Sequence, residues 1–116
     1  MCKKEIVLCG SSAYTQKYYL NEEFASLPQG IKDELKIMCV LYTEDIGGTL
    51  TLVFDKQGSL RFQAAADEGD LLYDEIGSVL KIKQLQRTKQ ELLESLELYF
   101  KVFYLGIALE EEDLED

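Results

Sequence analysis

The sequence predicts an α+β domain in which two β-hairpins form one antiparallel sheet with helices packed on one face, in the order ββ-α-ββ-α-α. Three observations carry that expectation. Apolar and polar residues alternate in two pairs of short runs, at 5–20 and 49–65. Between and after these runs, apolar residues recur at three- and four-residue spacing, the period of an amphipathic helix. The chain has 116 residues, the size of a single domain, and a chain of that size buries roughly two-thirds of its unfolded surface without help from metals or disulfides. Two hairpins and their helices then make a two-layer arrangement around one core.

Residues 5–9 (EIVLC) are β-prone and run into Gly10-Ser11-Ser12, which reads as a turn. Residues 14–20 (YTQKYYL) alternate, with Tyr14, Gln16, Tyr18 and Leu20 on one face. The segment NEEFASL reads as a loop. Pro28 stands where a helix can begin, because its missing N–H would have had no partner there. Ile31, Leu35, Met38, Cys39 and Tyr42 form one helical stripe to about Glu44, and Gly47-Gly48 stops it.

The hairpin at 49–65 is the plainest signal. Leu50, Leu52 and Phe54 share a face, as do Leu60, Phe62 and Ala64, and Asp55-Lys56-Gln57-Gly58 supplies a type I turn. Thr49, Thr51, Arg61 and Gln63 suit the wetter face. Asp67 reads as a helix cap, with Gly77-Ser78 as a break. Ile82, Leu85, Leu92, Leu96, Tyr99 and Phe103 predict a long helix over about 79–105 that ends at Gly106. Thr88-Lys89-Gln90-Glu91 has the form of a capping box, so that helix starts afresh at Lys89 in the alternative reading. Residues 110–116 carry six acids in seven positions and read as an acidic, disordered tail on a domain spanning 1–109.

Composition excludes several functions. There are 22 acidic and 12 basic residues, a formal charge of −10; without the six tail acids, 16 against 12 leave −4. That balance argues against nucleic acid and anionic membranes as partners. Histidine is absent, which removes Ser–His–Asp triads, Cys–His dyads and His-containing zinc sites. No apolar run approaches a membrane span, and the opening MCKKEIVLCG lacks the pattern of an export signal. Cys2, Cys9 and Cys39 are odd in number and lack CxxC spacing, so they read as reduced thiols in a cytoplasmic protein; a Cys2–Cys9 redox pair is the less economical reading. No cofactor is implied.

Candidate functional residues are few. Asp67, Asp70 and Asp74 would lie at i, i+3 and i+7 on a helix and could gather oxygen ligands for Mg²⁺ or Ca²⁺; the plainer reading is acids favouring a helix N-terminus. Glu91, Glu94 and Glu97 read as a solvated face, with Glu97 able to pair with Lys101. Lys81, Lys83, Arg87 and Lys89 either clamp an acidic group or neutralise the chain's own acids. Tyr14 and Tyr18 could share a strand face as a binding patch. Tyr99 and Phe103 lie within LYFKVFYL (98–105), a stretch apolar on all sides except Lys101, which must therefore be covered on all sides. A second subunit on this last helix, hence a homodimer, would cover it.

VLCGSSAYTQKYYLNEEF at 7–24, IKDELKIMCVLYTEDIGG at 31–48 and DEGDLLYDE at 67–75 resemble a family of small, acidic, uncharacterised proteins from Gram-positive anaerobic bacteria. The resemblance implies a bacterial cytosolic single domain and transfers no catalytic or binding residue. The leading expectation is therefore a non-enzymatic protein-interaction or regulatory module that self-associates through its last helix. The alternative is a small Mg/Ca-dependent or phosphate-ligand enzyme built on the acids at 67–75; a third reading has the acidic tail occupying a basic site on a protein partner.

Overall fold

The computed structural model describes residues 5–102. Strands β1 (Ile6–Ser12), β2 (Lys17–Leu20), β3 (Thr49–Phe54) and β4 (Leu60–Ala65) form one antiparallel sheet in the order β2-β1-β3-β4. Helices α1 (Gln29–Ile46), α2 (Glu75–Thr88) and α3 (Gln90–Phe100) complete the expected ββ-α-ββ-α-α order. The expected tail at 110–116, Phe103 and Gly106 lie outside the described residues.

The two hairpins join through β1 and β3 at the centre of the sheet. Val7 pairs with Val53 and Cys9 with Leu52, which leaves Leu8 as an extra residue in a bulge. The bulge lets two successive side chains, Leu8 and Cys9, both be fully buried. The alternation read from the sequence holds in the second hairpin, where Leu50 stands opposite Ala64, Leu52 opposite Phe62 and Phe54 opposite Leu60. Gly58 takes φ +85° at the end of the predicted turn, a conformation glycine adopts without a Cβ penalty.

α1 lays a buried stripe of Leu35, Met38, Cys39, Tyr42, Thr43 and Ile46 on β1 and β3. Pro28 sits just outside its first turn, and its carbonyl accepts from the N–H groups of Ile31 and Lys32. α3 closes the other end of the core. Phe100 stacks on Phe54 with centroids 4.2 Å apart, and Phe24 lies 5.6 Å from Phe54.

Four expectations are corrected. Gly10-Ser11-Ser12 is strand, not turn; the reversal falls at 13–16, where Ser12 Oγ accepts from the Tyr14 N–H at 3.1 Å and Ser11 is held inward by its hydrogen bond to the Cys39 carbonyl. NEEFASL contains a short 3-10 turn, Glu22–Phe24, capped by Asn21, because Phe24 must reach the core. Asp67 caps no helix: α2 starts at Glu75, and Asp74 Oδ1 accepts from the Gly77 N–H at 2.7 Å. Gly77-Ser78 therefore lies inside the helix rather than breaking it, and a Cβ at Gly77 would stand 2.2 Å from the capping carboxylate.

The last helical stretch is interrupted at Lys89, with φ −107° and ψ 21°, as in the alternative reading, but Thr88 makes no capping box; its Oγ1 donates back to the Gln84 carbonyl. The bend turns Leu85 toward α1 and Leu92, Leu96 and Phe100 into the core, two directions a straight helix would not serve. Glu97 does not pair with Lys101 in the described contacts; its Oε2 accepts from the Leu60 N–H at 2.7 Å and satisfies the first donor of edge strand β4.

Truncation of Phe54 removes the ring shared by Phe24 and Phe100. Phe54→Ala is expected to cost about 3–5 kcal/mol, read as a lowered urea midpoint with little change in slope.

Candidate functional site

Three places in the fold gather groups that could act on something else. A groove of about 690 Å³ lies between the β1–β2 reversal and α1 and is lined by Ser12, Gln16, Lys17, Lys36, Thr43 and Glu44, among others. Tyr18 forms part of its wall. Beneath it the alternation of β1 and the stripe of α1 bring Cys9 and Cys39 together, their sulfurs 3.9 Å apart. Ser11 Oγ donates to the Cys39 carbonyl at 2.8 Å and lies 3.3 Å from Thr43 Oγ1.

The chemistry of this cluster is that of buried, neutral groups. Contact with Cys9, and then burial, push the Cys39 thiol far above its ordinary value. Burial, with Cys9 and Cys39 close by, does the same to the Tyr18 phenol. The thiolate is the reactive form of cysteine, so a thiol held neutral is a poor nucleophile. The Tyr18 hydroxyl is buried and, apart from the Cys9 thiol beside it, has no hydrogen-bond partner among the described residues. The Cys9–Cys39 neighbourhood was hidden in the sequence by the 30 residues between them; the signal that could have found it is that each lies on the inward face of its own element.

The second place is the 67–75 segment. Tyr14 and Tyr18 do not share a strand face. Tyr14 stands in the reversal, and its hydroxyl donates to Asp70 Oδ2 at 2.5 Å while accepting from the Asp67 N–H at 2.8 Å. Two candidates read separately from the sequence thus meet. The helical premise for the acids fails, because Asp67 and Asp70 belong to a turn and only Asp74 touches a helix, as its cap. Among the described residues, no group of three or more His, Cys, Asp or Glu side chains is placed to hold a metal ion. Hydrogen bonds from the Tyr14 hydroxyl and the Leu72 N–H hold the Asp70 carboxyl below its ordinary value.

Behind this segment, Tyr42 and Ser78 share a hydrogen bond of 2.5 Å, and Tyr73 donates to the same Ser78 Oγ at 3.0 Å. Burial pushes the Tyr42 phenol up to about 12. A Cβ at Gly48, which has φ +68°, would meet the Ala65 carbonyl at 2.3 Å and the Tyr73 ring at 2.8 Å. The segment is thus pinned at Tyr14, Gly48 and Ser78.

The third place is the outer face of α1 and α2. Leu71 is 95%, Leu72 92% and Ile76 77% exposed, and Val79, Leu80, Ile37 and Leu41 are each more than half exposed. A groove of about 330 Å³ between the two helices is lined by Ile37, Met38, Leu41, Lys81 and Leu85. On α3 the picture is smaller: Leu98 and Val102 are exposed, while Leu92, Leu96 and Phe100 are covered by the chain itself. Tyr99 is tied inward, its hydroxyl 2.8 Å from Ser26 Oγ and its ring 6.4 Å from Phe24. In the sequence none of the apolar residues at 71–80 is singled out: with Asp67 as a cap and Gly77-Ser78 as a break, the predicted apolar stripe starts only at Ile82. No helix among the described residues is long and apolar enough to cross a membrane.

Two substitutions check these assignments. Tyr18→Phe removes a buried hydroxyl that has only the weakly accepting Cys9 thiol beside it among the described residues, and an unsatisfied group of that kind costs about 1–3 kcal/mol, so the variant is expected to melt at or above the parent temperature. Tyr14→Phe addresses the acid limb. A carboxyl whose pKa is lowered on folding contributes stability above its unfolded value of 3.8, and that contribution is lost as pH falls through the folded value. Tyr14→Phe is expected to flatten the loss of stability below about pH 4, read by denaturant titrations across pH 2–6.

No curated protein and no solved structure matches the sequence. A model described as a family of unknown function, DUF6145, matches residues 5–108. That match takes in all three sequence segments singled out above and every strand and helix of the fold, and the chain belongs to this family of unknown function, DUF6145.

Proposed function

We propose that the protein is a non-enzymatic interaction module that self-associates through the apolar surface its helices leave exposed. The observation that carries this reading is the group of seven large aliphatic side chains, Ile37, Leu41, Leu71, Leu72, Ile76, Val79 and Leu80, on or beside α1 and α2. Monomeric proteins expose single apolar residues freely, but this many large aliphatic side chains on two packed helices and the turn before one of them favour a surface that meets something.

Magnitudes favour this surface over the end of α3. Full burial of one such side chain contributes roughly 1.5–3 kcal/mol. Association costs roughly 4–15 kcal/mol in lost freedom. Leu98 and Val102 alone reach only the foot of that range, at about 3–6 kcal/mol, whereas the seven α1–α2 side chains reach its upper part. The cytoplasm, where buried thiols such as Cys9 and Cys39 stay reduced, suits a module of this kind.

Sedimentation velocity over a concentration series tests the reading. The expected result is a concentration-dependent monomer–dimer equilibrium that Leu72→Ser with Leu80→Ser shifts toward monomer. A monomer at every concentration overturns it.

A further inference from the structure

We propose that a second copy of this chain docks on α2 about a two-fold axis, with the two α2 helices antiparallel. The inference rests on the self-association reading and specifies its surface and geometry.

The order of residues along this segment carries it. Acids come first (Asp67, Glu68, Asp70, Asp74 and Glu75), then Ile76, Val79 and Leu80, then bases (Lys81, Lys83, Arg87 and Lys89). The bases divide by direction. Lys81 lies 4.0 Å from Asp45 and Lys89 lies 3.2 Å from Glu34, both acids of α1. Lys83 and Arg87 are exposed and make no ion pair among the described residues. They fall at i+7 and i+11 from Ile76, on the same stripe as Val79 and Leu80 at i+3 and i+4. The outward stripe therefore reads apolar in its first half and basic in its second, with Glu75 and the acidic turn at its head.

A two-fold interface requires a surface complementary to itself. With the axis near Val79 and Leu80, antiparallel pairing sets Lys83 of one copy beside Glu75 and Ile76 of the other. Arg87 then falls beside Leu72 and the turn around Asp70. The apolar residues meet at the centre, and the opposite charges meet at both ends. Parallel pairing would set acids against acids and bases against bases, which costs association energy. Antiparallel helices also bring opposite ends of their dipoles together. This local complementarity offsets the repulsion of two chains that each carry a formal charge of −10.

The test uses two single charge reversals at exposed positions, Glu75→Lys and Lys83→Glu, each checked for unchanged folding by circular dichroism. Sedimentation velocity is run on the parent, on each variant alone and on their equimolar mixture. The expected result is a parent dimer, a dimer weakened at least roughly tenfold in each variant alone, and recovery in the mixture, where both charge pairs are complementary again. A dimer that both variants leave unchanged overturns α2 as the surface while leaving self-association in place. Weakening without recovery in the mixture overturns the antiparallel geometry. A parent that is monomeric throughout overturns this inference together with the reading beneath it.

Discussion

The pairing of β1 with β3 is the contact on which the rest of the molecule depends. No turn connects these strands; 36 residues lie between Ser12 and Thr49, including all of α1. Their ladder is nonetheless what makes one sheet of two hairpins, since an isolated hairpin is marginal in water. The bulge at Leu8 adds to this seam, because the extra residue puts Leu8 and Cys9 into the core together, against Leu50, Leu52 and Phe54. α1 is laid over that seam and owes its buried stripe to it. α2 touches mainly α1 and α3, so its position is inherited at one remove. This hierarchy explains why the exposed aliphatic residues concentrate on α2 and the turn before it. By the time the chain reaches them, the sheet face is already occupied.

Much of this fold was legible in the sequence, for a physical reason. The 49–65 hairpin announces itself because one face is apolar, the other polar, and the reversal has a turn with glycine where positive φ is needed. α1 is legible because its stripe at three- and four-residue spacing faces a single neighbour. Legibility fails where an element is positioned by contacts distant in the chain. Asp67 has the chemistry of a helix cap, yet Tyr14, more than fifty residues away, takes it and Asp70 into a turn. Gly77-Ser78 has the composition of a break, yet Tyr42 and Tyr73 hold Ser78 within α2. The bulge at Leu8 left no mark that alternation could reveal.

Candidate functional residues were less legible than the fold. Tyr14, Asp67 and Asp70 were singled out for different purposes and turn out to be partners of one another, an arrangement that pins a loop. Tyr99 is drawn inward by Ser26 and Phe24. The surface that remains, around Leu71 to Leu80, is not marked in the sequence, because its apolar residues straddle the start of α2 and form no single helical stripe there. Its exposure goes with the late start of α2, which is capped by Asp74.

Glu97 has a further consequence. β4 is an edge strand, and an edge presents unpaired backbone donors that can template the addition of another strand. By accepting from the Leu60 N–H, the Glu97 carboxylate occupies the first of those donors and sets a negative charge at the mouth of the edge. Arg61 and Gln63 project from the open face of the same strand, and β2, at the opposite margin, is only four residues long. Continuous sheet growth, the route to fibrils, is thereby obstructed at both margins. The exposed aliphatic surface therefore lies on helices and a turn, while the sheet margins, where strand could add to strand without limit, are shortened on one side and charged on the other.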